Sequence, residues 1–178
     1  MRSNKSVKRL VIAALCLALC ILLPFLTGQI PQIGSALSPM HIPVLLCGFL
    51  CGWPYGLAVG FVAPLLRTAM FGMPPIYPTA VAMAFELAAY GFFSGWLYKR
   101  LPKKIPYIYV TLVLSMLLGR VVWGLVNWLL LAVSGGAFTF EAFLAGAFVN
   151  AVPGIVCHII LIPLLVIALR KAKVLENE

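Results

Sequence analysis

All but two of the thirteen Lys and Arg residues fall in three clusters, Arg2 to Arg9, Lys99 to Lys104 and Arg170 to Lys173, with long apolar stretches between them. A chain that crosses a bilayer repeatedly has this spacing, because basic residues collect at its cytoplasmic edges. The pattern predicts that both ends and one central loop share the cytoplasmic side. The other two, Arg67 and Arg120, stand inside apolar segments, where a charge is expensive and normally has a partner or a function.

Composition agrees with the charge pattern. With 63% apolar and 10% charged residues and a mean hydropathy of +1.10, too little polar surface exists to coat a soluble domain. The formal charge of +9 does not indicate nucleic acid, since the basic residues are grouped at membrane edges rather than interleaved along a face. Cys16, Cys20, Cys47, Cys51 and Cys157 all lie in apolar runs without a carboxylate or His at ligand spacing. They read as small packing residues, and no metal or other cofactor is expected. The run from Leu10 to Leu26 is long for the core of a signal peptide and is expected to remain as a first helix.

A spanning helix needs about 20 residues. The expected fold is therefore all-α: one integral-membrane domain over residues 1–178, with six transmembrane helices near 8–27, 40–53, 54–70, 78–98, 106–133 and 140–169. Both termini are expected to be cytoplasmic. An even number of crossings must separate the N-terminus from the Lys99 to Lys104 loop, and about 90 residues between them favour four. Trp53, Tyr55, Trp96, Tyr98, Tyr107 and Tyr109 flank the proposed inner turns, as interfacial aromatics do. Residues 28–39 form an expected outer loop, and the second and third helices look short.

Depth can be estimated at about 1.5 Å per residue. Arg67, Glu86, Arg120, Asn127, Asn150, Ser38 and His41 then all fall in the outer half of the membrane. This distribution predicts a polar pocket open to the outside. Two arginines against one carboxylate leave a simple sum of +1, which an anionic or carboxylate solute would complete through the guanidinium fork.

Each candidate has a structural alternative. Arg67 either contacts ligand or reaches to the outer interface, and Arg120 either contacts ligand or pairs with Glu86. Asn127 and Asn150 serve equally as interhelical hydrogen-bond partners. His41 reads as a helix-start residue and His158 as a packing histidine. Trp123 and Trp128 are either an aromatic wall for a solute or lipid-facing anchors, and Glu141 is a solvated first-turn carboxylate. Small residues recur at four-residue spacing at Ala14 and Ala18, Gly48 and Gly52, Gly56 and Gly60, and Gly91 and Gly95, which permits close helix approach. No nucleotide-binding loop, nucleophile elbow or zinc-protease motif is present, so the chain is not expected to be an enzyme.

In its length, six-helix plan and basic ends, in Ala14-x-x-x-Ala18, and in the stretch Ser38 to Gly52, the chain resembles the substrate-binding S components of energy-coupling factor (ECF) transporters. The resemblance implies a prokaryotic cell-membrane subunit that captures a vitamin or related micronutrient near the outer surface. It also implies docking through Ala14 and Ala18 onto a transmembrane coupling subunit that carries two cytoplasmic ATPases, surrounded by membrane lipid and without nucleic acid. The positive pocket puts pantothenate first, with riboflavin, a pyridoxine-like compound, folate and a queuosine precursor open. Two other classes stay open as well: a noncatalytic integral-membrane scaffold of the rod-shape MreD-like type, and an ion-coupled small-solute carrier.

Overall fold

Proline and glycine mark most of the breaks between helices. The computed structural model describes residues 2–27 and 36–172, so most of the expected outer loop at 28–39 lies outside the described residues. Helix α1 covers Arg2–Leu22 and tightens into a 3-10 turn over Leu23–Thr27. Pro24 accounts for the change, since it has no N–H to give to a carbonyl one turn back. Helices α2, His41–Cys51, and α3, Trp53–Phe71, are joined by Gly52. Its φ of +90° is a conformation that glycine adopts without a Cβ clash. Pro54 then opens α3, where a missing N–H costs nothing.

Helix α4, Val81–Arg100, follows a wide turn at Ile76–Ala80, and α5 covers Ile105–Val133. The last expected helix, 140–169, is in fact three pieces: α6 at Phe140–Leu144, a wide turn at Ala145–Val149, and α7 at Val152–Lys171. Pro153 explains the break, because its ring would clash with the carbonyl of Val149 in a continuous helix.

Contacts between the helices fix their directions. The Cys20 thiol lies 3.6 Å from the Met40 carbonyl and the Cys51 thiol 3.4 Å from that of Arg9, so α2 runs antiparallel to α1. Ser94 donates to the Leu45 carbonyl at 3.4 Å, and the Phe49 and Tyr98 rings meet at 4.9 Å, so α4 runs parallel to α2. Tyr77 donates to the Leu130 carbonyl at the far end of α5, and Arg170 of α7 donates to the Lys103 carbonyl at 2.8 Å. Helices α1, α3 and α5 therefore run one way and α2, α4 and α7 the other. Arg9, the turn at 101–104 and Arg170 share one end of the bundle.

Among the described residues, five segments are long and apolar enough to span a bilayer. The second expected span, α2, has 11 residues, about 16 Å of helix against a hydrocarbon core of about 30 Å. It begins beside Cys20, part-way down the bundle, so its N-terminus lies at depth.

Lipid offers no hydrophobic drive to bring helices together, so close packing and hydrogen bonds must do so. Helix α4 is central and touches α2, α3 and α5. Where α3 crosses α4, Gly56 faces the backbone of Gly91, Gly60 that of Leu87, and Gly95 that of Trp53, each so closely that an added Cβ would overlap main-chain atoms. These glycine pairs serve internal packing, as read from their spacing. Val44, Leu45, Leu87, Leu112, Ile162 and Val166 fill the core. Leu10, Leu15 and Leu22 on α1, and Leu117, Val121, Leu125 and Trp128 on α5, are exposed.

Candidate functional site

Four helices bring five polar side chains to one buried cluster. Glu86 and Tyr90 are four residues apart on α4 and so share a face. Helix α5, antiparallel to α4, supplies Arg120, α2 supplies its first residue, His41, and α7 supplies His158. All five are at least nine-tenths buried, and Glu86 is 1% exposed. Gly119 makes the approach feasible, because a Cβ there would collide with the Tyr90 ring.

One oxygen organises the group. Glu86 Oε1 accepts the Tyr90 hydroxyl at 3.0 Å and lies 2.9 Å from Arg120 Nη1. His41 Nε2 is 3.6 Å from the same oxygen, beyond good hydrogen-bond length. The His41 ring packs on Tyr90 at 5.2 Å and stacks on His158 at 5.8 Å with planes 19° apart. A turn in which His41 N–H donates to the Ser38 carbonyl at 3.0 Å opens α2, and the positive end of that helix lies on the side of the carboxylate. Burying this ion pair without lipid contact is the arrangement that keeps its cost bearable.

Hydrogen bonding in the cluster is incomplete. Both ring nitrogens of His41, Nε2 of His158 and Nε of Arg120 are buried without a hydrogen-bond partner. Native structures seldom leave such atoms unpaired unless a ligand, an ion or water completes them.

Arg67 does not join this cluster, contrary to its assignment beside Glu86 in one pocket. Its Nη1 donates to the Ile21 carbonyl at 2.7 Å, and its guanidinium carbon lies 5.2 Å and 5.5 Å from the centres of the Phe25 and Phe71 rings. Ile21 is three residues before Pro24, so its carbonyl lacks the 3-10 donor and receives one from Arg67 instead. The expected surplus of one positive charge is thereby removed from the site.

The other candidates separate in the same way. Asn127 is buried, but its amide donates to the Trp123 carbonyl one turn back on α5 at 2.9 Å. Trp123 packs against Phe138 at 5.9 Å and Phe143 at 6.4 Å, an aromatic cluster with the segment following α5. Asn150 is exposed beside the break before α7, outside the cluster. Trp128 is 55% exposed, which is the anchor arrangement. Glu141 is exposed in the first turn of α6, where Thr139 accepts from the Ala142 N–H at 3.2 Å.

Two members escaped reading from the residues. Tyr90 was signalled by its four-residue spacing from Glu86. His158 reads as a packing residue in the sequence, since nothing local to α7 indicates that it faces His41. Ala14 and Ala18 are both exposed on α1.

These features define a multi-pass membrane protein of alternating helices with a polar, incompletely satisfied cluster in its interior. A family model, ECF transporter, substrate-specific component, matches residues 8–166, and the chain belongs to that family. It is a substrate-specific membrane subunit of an ECF transporter, a transport component of a prokaryotic plasma membrane that works with a small-molecule substrate and an ECF module. No curated protein and no solved structure gives a match.

Proposed function

We propose that the chain captures a vitamin or related micronutrient at the cluster of His41, Glu86, Tyr90, Arg120 and His158, and that a partner module then drives its uptake with ATP. The observation that carries this reading is the set of unpartnered, deeply buried nitrogens on His41, His158 and Arg120. In a purely structural polar network the great majority of such atoms are paired. A solute with matching hydrogen-bonding groups completes the set.

The end of the bundle holding Arg9, the 101–104 turn and Arg170 is the cytoplasmic end in this reading, by the bias of basic residues. The cluster then lies toward the outside, and the five long helices and the shorter α2 alternate in direction. The exposed face of α1 around Ala14 and Ala18, flanked by Leu10, Leu15 and Leu22, is the docking surface for a transmembrane coupling subunit. Two alanines four residues apart let a partner helix approach closely. The ATPases belong to that module, and this chain is not an enzyme.

Among cargoes, pantothenate comes first only if Arg67 and Arg120 against Glu86 leave the pocket positive. Arg67 is engaged at the Ile21 carbonyl and Arg120 with Glu86, so pantothenate stays as the anionic member of a panel with riboflavin, pyridoxine, folate and a queuosine precursor. The test is to purify the protein in mild detergent from vitamin-rich medium and identify retained molecules by native mass spectrometry. A vitamin present in the wild type and lost in Arg120→Ala, with folding intact, supports the reading. An empty, folded wild type that no panel member stabilises refutes it.

A further inference from the structure

We propose that the cargo is a net-neutral small molecule that meets His41, His158 and Arg120 with both donor and acceptor groups. This rests on the binding-subunit reading above and narrows its substrate class. Four acidic residues occur in the whole chain, at positions 86, 141, 176 and 178, and of these Glu86 is the one in the cluster. Its charge is balanced by Arg120 Nη1 at 2.9 Å. Arg67, the other arginine inside the apolar segments, is held between Phe25 and Phe71. Every other lysine and arginine belongs to the three basic clusters at the ends of the apolar segments. A cargo with a net charge would therefore enter a helix interior, surrounded by lipid, without a counterion, and burying such a charge is heavily disfavoured.

The open atoms agree with this. A neutral imidazole has one N–H donor and one acceptor nitrogen, whereas Arg120 Nε donates only. His41 and His158 stack with planes 19° apart. Two nearly parallel imidazole edges beside a guanidinium N–H suit the hydroxyl, amide or ring-nitrogen edge of an uncharged molecule. They offer no second charged fork for a carboxylate.

Matched compounds that differ chiefly in charge provide the test: panthenol against pantothenate, and nicotinamide against nicotinate, with riboflavin and pyridoxine as further neutral probes and folate as a further anion. Binding to the full chain in nanodiscs is read by calorimetry and thermal shift, and any retained molecule is identified by native mass spectrometry. The expected result is that the bound or retained molecule is net-neutral at pH 7, and that a neutral member of a pair binds at least about tenfold tighter than its charged counterpart. His158→Gln should weaken the neutral ligand by a similar factor; His158→Asn serves where Gln misfolds.

A carboxylate that binds more tightly than its neutral counterpart, or an anion retained from the cell, overturns the neutral class while leaving the binding-subunit reading intact. A neutral ligand indifferent to His158→Gln and to His41→Gln removes it from this cluster. A folded protein that retains and binds nothing overturns both readings together.

Discussion

Arg67 and Arg120 are both buried in helices at similar low exposure, 4% and 8%, yet their surroundings differ in kind. Arg67 meets a backbone carbonyl and two phenyl rings, so its hydrogen bond closes a gap left by Pro24 at the end of α1. Arg120 meets a carboxylate held by a tyrosine, beside two histidines with unpaired nitrogens. The first environment is a structural repair of one helix end. The second leaves four buried nitrogens without a hydrogen-bond partner. A buried arginine in a membrane helix is therefore informative only once its partner is known: a carbonyl points to architecture, and an incompletely satisfied ion pair points to a ligand.

The difference is open to direct attack. Arg120→Ala should have the largest effect, since it leaves Glu86 buried and unpaired. We predict a loss of about 3–5 kcal/mol of stability together with loss of ligand, checked by thermal unfolding and calorimetry in nanodiscs. Replacing both partners, Arg120→Met with Glu86→Gln, should recover most of that stability without recovering binding. A double variant as unstable as Arg120→Ala would show that the pair is not the unit of cost.

Arg67→Ala comes next. It should cost about 1–3 kcal/mol through the orphaned Ile21 carbonyl and lost ring contacts, with ligand affinity changed less than about threefold in the same calorimetric assay. Loss of binding with an unchanged fold would make Arg67 a ligand residue after all. A double-mutant cycle sharpens the contrast: Arg120 and Glu86 should couple, by about 0.5–3 kcal/mol, whereas Arg67 and Glu86 should add independently.

The smallest effects belong to residues outside both environments. Asn150→Ala should move stability and affinity by no more than about 0.5 kcal/mol. Ala18→Leu should leave both within that range in the isolated chain while reducing uptake when the coupling module is present. Unimpaired uptake would dissociate the α1 face from docking.

Much of the bundle was legible in the order of residues. The three basic clusters and the apolar runs between them placed α3, α4 and α5 to within a few residues, and the breaks at Gly52 and around Pro74 and Pro78 fall where turn residues stand. The shortness of α2 was visible in outline. The division of the last helix at Pro153 was not, although its cause is local; an apolar run long enough to span conceals a break within it. At the site, depth alone put Glu86, Arg120 and His41 in the outer half of the membrane, and the structure brings those three together. The same estimate put Arg67, Asn127 and Asn150 in the same half of the bilayer, and none of them faces Glu86. Depth follows from counting residues, but direction around the helix axis does not. His158 shows the converse, since its partner lies on α2, more than a hundred residues earlier, and no periodicity in α7 records that neighbour.

The sequence by itself determined that this protein lives in a bilayer, roughly where most of its long apolar helices run and which basic ends lie together, because hydropathy, charge and proline act within a few residues of where they stand. Only the tertiary structure decided that Arg120 rather than Arg67 pairs with Glu86, that His41 stacks on His158, and that four nitrogens among them are left unpaired. Those outcomes depend on how α2, α4, α5 and α7 are rotated against one another. That rotation is set by close backbone contacts such as Gly56 on Gly91 and by the fit of Tyr90 over Gly119.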